Sequence, residues 1–200
     1  MDFTKLKETL EHNGFSVKVF ETADEAADYL DKEIDNSTVG QGGSLTVRRM
    51  GVMDRLAKHN TLWSHWNVPE GMNQDEVLAK AMTTEVYLSS VNGLAETGEI
   101  INIDGTGNRV ASCLFGHKRL YYVVGKNKIA PTYEEALWRA RNIAAPLNAK
   151  RLERKTPCAV DGKCHDCNSP DRICRGLTVT WKAMKGMQTE VILINEELGL

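Results

Sequence analysis

The chain has 200 residues, 42% hydrophobic and 26% charged, with a formal net charge of −2 at pH 7. That length suits one domain with a substantial core and is short for two. The charge balance argues against a phosphate-backbone binder, and no apolar run approaches the roughly 20 residues of a membrane span.

The opening MDFTKLKETLEHNG is charged from its second residue, where a signal peptide needs an apolar stretch. A soluble, cytoplasmic setting is expected, in which thiols stay reduced. Phe3, Leu6 and Leu10 share one helical face, and Gly14 stops that helix. FSVKVF alternates as a strand. Thr22 and Glu25 have capping-box spacing ahead of a helix to about Ile34. STVG (37–40) reads as a short strand entering GQGGS, and Ser44 can cap a helix with Leu45, Met50, Met53 and Leu56 as apolar positions. TLWSHW is a further strand candidate, and Asn73 with Glu76 opens another helix. EVYLSSV, EIINID and RLYYVVG read as strands, the last apolar enough for a buried inner position. Thr132 and Glu135 form a third capping box before a helix to about Ile143. A stretch dense in Gly, Asp, Asn and Pro then reads as loop, and LTVTW and EVILINEELG follow as strands. The alternation predicts an α/β fold with a layered, mainly parallel central sheet and helices on both faces. One domain over 1–200 is expected, with a cysteine-rich loop at 156–176.

Ligands in such sheets bind beyond the carboxyl ends of the strands, which singles out three loops. In GQGGS, Gly42, Gly43 and Ser44 can turn backbone N–H groups toward an anion at a helix start, although the same pattern serves as a plain turn. It is neither a Walker A loop nor G-x-G-x-x-G. In DGTGNR, Asn108 and the planar fork of Arg109 suit a carboxylate or phosphate, while Asp104–Arg109 also fits a hairpin turn. In GKNK, Asn127 and Lys128 follow the inner strand, facing either a ligand or solvent. Glu96, before Thr97-Gly98, is the carboxylate expected to act as general base or nucleophile. The five histidines are scattered without metal-ligand spacing.

Four of the five cysteines fall in CAVDGKCHDCNSPDRIC, spaced C-x5-C-x2-C-x6-C. The x2 spacing of Cys164 and Cys167 lets two thiolates turn toward one ion, and Gly and Pro turns can bring in Cys158 and Cys174. Four thiolates suit a tetrahedral zinc or a [4Fe–4S] cluster, and the missing second CxxC of a zinc ribbon tilts the reading toward the cluster. Lys163, Arg172 and Arg175 can offset its negative charge. A disulfide conflicts with a reducing compartment, and a redox CxxC normally opens a helix after a strand. Cys113, in ASCLFG, reads as a core residue.

GQGGSLTVRRMG (40–51), SSVNGLAETGEIINIDGTGNRVA (89–111), VVGKNKI (123–129), APLNAKRL (145–152) and TPCAVDGKCHDCNSPDRIC (156–174) together resemble the LUD domain family, named for lactate utilization, in its branch of short LutC-like proteins. The resemblance implies a fold similar to the sugar-phosphate isomerase and CoA-transferase superfamily. It implies a small anionic metabolite as ligand, and a role in oxidising L-lactate or a related 2-hydroxy acid beside iron–sulfur oxidoreductase subunits. Larger LutB-like members carry a ferredoxin-type tail, whose spacing differs from the cysteine segment here. Two function classes follow. One is a small-molecule enzyme or its substrate-handling subunit, with CoA-transferase or ligase chemistry as an analogy of fold. The other is a non-catalytic electron-transfer or assembly subunit, its cysteine centre a relay or a zinc staple. No nucleic-acid partner is expected, and a homo-oligomer is compatible with either class.

Overall fold

The structure is a computed structural model describing residues 1–200. Helix α1 (Thr4–His12) buries Leu6 and Leu10, and Gly14, at φ +86°, turns the chain into strand β1 (Ser16–Phe20). Helix α2 (Ala23–Glu33) starts from the expected box: Glu25 N–H donates to the Thr22 hydroxyl, and the Thr22 N–H donates to the Glu25 carboxylate. Such a cap is worth about 1 kcal/mol. Strand β2 (Thr38–Gln41) leads to α3 (Leu45–Arg49), capped by Ser44, and α4 (Val52–Leu56). The single helix expected here breaks in two because Gly51 adopts φ +66°, which the right-handed ladder cannot continue through. Strand β3 (Thr61–Ser64), helix α5 (Gln74–Ala81), and strands β4 (Val86–Ser90), β5 (Gly93–Ala95) and β6 (Ile100–Asp104) follow.

The hairpin alternative for Asp104–Arg109 is wrong: β6 passes into helix α6 (Asn108–Ser112) through Gly107 at φ +94°. Strand β7 (Arg119–Gly125), a 3-10 turn at Lys126–Lys128 and strand β8 (Ile129–Ala130) come next. Thr132 caps α7 (Tyr133–Arg139) by accepting from Glu135 N–H, without the return bond of a full box. The helix does not end near Ile143. It widens into a π turn (Ala140–Ala144) and continues as α8 (Ala145–Arg151). Pro146 has no N–H for the ladder, and the widened turn before it accommodates that loss. The cysteine segment is not all loop, since it begins with α9 (Pro157–Asp161). Strands β9 (Gly176–Thr180) and β10 (Gln188–Ile194) complete the order.

Six strands form one all-parallel sheet in the order β1-β10-β7-β4-β2-β3. RLYYVVG is an inner strand, as its sequence predicts, between β10 and β4. Its residues alternate between two cores. Leu120, Tyr122 and Val124 pack with α1, while Tyr121 and Val123 pack with α2, α3 and α4. EIINID and LTVTW are not in this sheet. They pair antiparallel with each other in a second sheet of order β8-β5-β6-β9, which the chain enters directly from the carboxyl ends of β4 and β7. Helix α7 lies on β5 so closely that a Cβ at Gly93 would overlap the Ala136 carbonyl oxygen.

Two measurements test this packing. A Cβ at Gly40 would overlap the Ala81 carbonyl oxygen and stand 2.6 Å from Thr84 Oγ1. Gly40→Ala is expected to cost about 1–3 kcal/mol, lowering the urea midpoint without changing the slope. The His59 ring sits 2.9 Å from both Asp31 and Asp35, whose hydrogen bonds raise its pKa. A raised value in the fold stabilises fully below the unfolded value of about 6.5 and is lost as pH rises through the folded value. The stability difference between the native chain and His59→Gln should therefore be largest in mildly acidic urea titrations and shrink toward alkaline pH.

Candidate functional site

From β2 the chain runs outward to β3, and from β4 it runs the other way to β7. Neighbouring strands with opposite exits leave a crevice beyond their carboxyl ends. A cavity of about 420 Å³ occupies it. Gly43, Ser44 and Thr46 line it after β2, His65 after β3, Ser90 to Asn92 after β4, and Lys128 after β7. Asn108 and Arg109 of α6 enter from the second sheet, and Asn148 and Arg151 from α8.

The structure thus brings Gly43, Ser44, Asn108, Arg109 and Lys128 to one cavity. Gly42 lies just beneath it, buried, where a Cβ would stand 2.7 Å from the Tyr87 hydroxyl and 3.2 Å from Arg109 Cβ. Gly43 is exposed, with the His65 ring 3.6 Å from where its Cβ would be. Asn127 and Glu96 are not among the lining residues. Asn127 is a brace: its side-chain oxygen accepts from Leu198 N–H at 3.0 Å and its carbonyl accepts from Arg139 Nε at 2.6 Å. Glu96 sits at the turn between β5 and β6, its N–H donating to the Ala130 carbonyl.

Three cations meet where β4 leaves the parallel sheet. The Arg109 guanidinium donates to the Ser90 carbonyl at 3.3 Å, to the Ile103 carbonyl at 2.6 Å and to the side-chain oxygens of Asn102 and Asn92. Lys128 Nζ donates to the Val91 carbonyl at 3.0 Å and to Ser90 Oγ at 3.1 Å. Arg139 donates to the Asn92 carbonyl at 2.6 Å. Three consecutive carbonyls are thereby held by three different cations. Arg109 has Asp104 at 3.8 Å, whereas Lys128 and Arg139, 4% and 7% exposed, have no carboxylate partner. Burial pulls Arg139 down to about 10. Burial first, then Arg139, Arg109 and Arg49, hold Lys128 well below the usual lysine range.

The lining side chains include six basic ones, Arg109, Lys128, Arg151, Arg154, Arg172 and Arg175, against the acidic pair Asp104 and Asp171. Both acids are engaged: Asp104 accepts from Gly105 and Val110 N–H, and Asp171 from Lys155 N–H. Burial first, then Arg151, pushes His65 below the ordinary histidine value, favouring the neutral ring. Arg48 lies over the Trp66 ring at 4.5 Å and Arg151 at 5.6 Å. Sequence reasoning missed His65, Asn148 and Arg151. The last two lie three apart, on one helical face of APLNAKRL, a signal that periodicity could have supplied.

A second cavity, of about 240 Å³, is lined by Cys158, Cys164, Cys167 and Cys174 together. No group of three or more His, Cys, Asp or Glu side chains closes to metal-holding geometry. Arg141 reaches Cys164 Sγ at 3.9 Å, and Arg172 donates to the carbonyls of Cys167 and Cys174. Burial raises the Cys174 thiol, and the other three cysteines raise it further. Ile103, Ala145 and the stretch 172–175 line both cavities, and the two lie side by side along that stretch. It is pressed against the second sheet: Arg175 N–H donates to the Asp104 carbonyl, and Ile173 O leaves 2.9 Å for a Cβ at Gly105.

Comparison with solved structures finds a DUF162 family protein from Deinococcus radiodurans with a TM-score of 0.54 and 13% identity, covering 95% of this chain and 94% of that one. Ribose 5-phosphate isomerase A from Neisseria gonorrhoeae is a partial likeness, with a TM-score of 0.35 and 14% identity over 57% of each chain. No curated protein matches. The LUD domain model matches residues 3–194, nearly the whole chain, and this protein belongs to the LUD domain family.

Proposed function

We propose that the protein binds a small carboxylate metabolite, a 2-hydroxy acid such as lactate or its 2-oxo counterpart, in the cationic cavity, and serves 2-hydroxy-acid oxidation beside iron–sulfur oxidoreductase subunits. Membership of a family linked to lactate utilization supports the substrate class. The observation that carries the reading is Lys128: a buried lysine on the cavity wall, its Nζ bonded to Ser90 and Val91 oxygens, with no carboxylate at ion-pair distance. A desolvated cation without a counter-ion is costly, and an incoming carboxylate supplies one. Arg109 has spent its fork on the protein, so it contributes charge and holds the wall. The Arg154 side chain makes no hydrogen bond or ion pair within the protein and stands at the rim, while its backbone N–H donates to the Ala149 carbonyl. The Gly43 N–H, on an exposed glycine, can approach a carboxylate without a side chain in the way. Asp104 has both oxygens committed to backbone N–H groups, and Glu96 stands outside the cavity.

Calorimetry with L-lactate, pyruvate and phosphate tests the reading. Lys128→Met should weaken carboxylate binding by about ten- to a hundredfold, the range of a lost charged hydrogen bond. Arg154→Ala, with no side-chain bond to lose, should weaken it by up to about fivefold and leave thermal stability unchanged. Failure of all three anions to bind the native chain would end the proposal. A bound carboxylate favours protonated Lys128, so binding should take up protons between the depressed value of the free site and the usual value of about 10.4. In that window affinity should rise as pH falls, and the binding heat should vary with buffer ionisation enthalpy in the direction of uptake. Lys128→Met should abolish that variation.

A further inference from the structure

Residues 157–176 include no buried residue, and Val160 is 89% exposed. Apolar packing therefore cannot be what orders this segment. Its internal ties are polar: Arg172 to Cys167, Cys174 and Asp166, Lys155 N–H to Asp171, and Asp161 to His165. Yet all four cysteines face the same small cavity, and none is paired in a disulfide. Convergence of four free thiols from an otherwise exposed segment is what a covalent metal cross-link leaves in a sequence.

The shape of the space bears on the metal. A lone tetrahedral zinc needs four sulfurs about 2.3 Å from one point, which leaves no room between them. Here the four thiols border a common space of about 240 Å³. That volume is several times the roughly 30 Å³ of one water. A cubane cluster spreads four thiolates over four separate irons and so fits thiols held around a space. Arg141, Arg172 and Arg175 line the same cavity and offset the net negative charge of a four-thiolate cluster.

We propose that Cys158, Cys164, Cys167 and Cys174 ligate one [4Fe–4S] cluster in this cavity, which adjoins the anion cavity along residues 172–175. Each cysteine loses its thiol proton to solvent and gives one sulfur to one iron. The proposal stands apart from carboxylate binding, and neither decides the other.

The test uses the full chain, purified without oxygen and reconstituted with equal parts of ferric and ferrous iron and with sulfide, which together supply the electron count of a [4Fe–4S]2+ core. About four irons and four sulfides per chain are expected, with broad visible thiolate-to-iron absorption. Iodoacetamide counting supplies a readout without mutation. The four segment thiols should be alkylated in metal-free protein and protected in loaded protein, with buried Cys113 protected in both. Cys164→Ser with Cys167→Ser should abolish iron uptake while the circular dichroism of the sheet and helices persists. Should that variant fail to fold, protection in the native chain decides. A protein that takes up no iron, whether it holds one zinc or no metal, overturns the cluster, as does iron uptake that leaves the four thiols reactive.

Discussion

The carbonyl groups of Ser90, Val91 and Asn92 have to be satisfied where strand β4 leaves the parallel sheet, and the rest of the molecule is arranged around how this is done. A buried carbonyl without a donor is costly. In a regular strand the N–H groups of the neighbouring strand would serve. Here Arg109, Lys128 and Arg139 serve, each from a different part of the chain, with the Ser89 hydroxyl also donating to the Ser90 carbonyl. Arg109 ties the junction to β6, Lys128 to the end of β7, and Arg139 to the helix covering the second sheet. One local shortage of donors thus joins the two sheets and sets three positive charges at a single sheet edge.

That solution has an electrostatic consequence. Carbonyl oxygens satisfy the hydrogen-bonding directions of a cation without cancelling its charge. The excess field extends into the crevice that strand topology opens at the same place, and the two acids in the wall are taken up by backbone N–H groups. Arg139 shows that the charge need not touch the cavity to matter: it is absent from the wall and still depresses Lys128.

Much of the parallel layer was legible in the sequence, because each device there is local. The box at Thr22, the cap at Ser44 and the apolar run of RLYYVVG need only neighbours a few residues away. The second sheet was not legible. EIINID and LTVTW look like any strand, and what sends them elsewhere is the tertiary demand of the β4 junction. The site divides in the same way. Gly43, Ser44, Asn108, Arg109 and Lys128 follow from the rule that loops after strands share an edge. Asn127 follows from the same rule and yet faces elsewhere, since loop direction is set by partners such as Leu198, and Glu96, singled out as a carboxylate at a turn into a strand, is tied instead to Ala130. Arg109 is in the wall but has its donors occupied, which residue type alone cannot reveal.

Strand β10 lies between β1 and β7, pairing Ser16 with Glu190 and Arg119 with Gln188. During synthesis the first strand must wait for one made some 170 residues later, and the inner strand β7 keeps an open edge until then. Unpaired edges of this kind recruit other chains. The nascent chain is thus a natural client for chaperones until β10 has emerged.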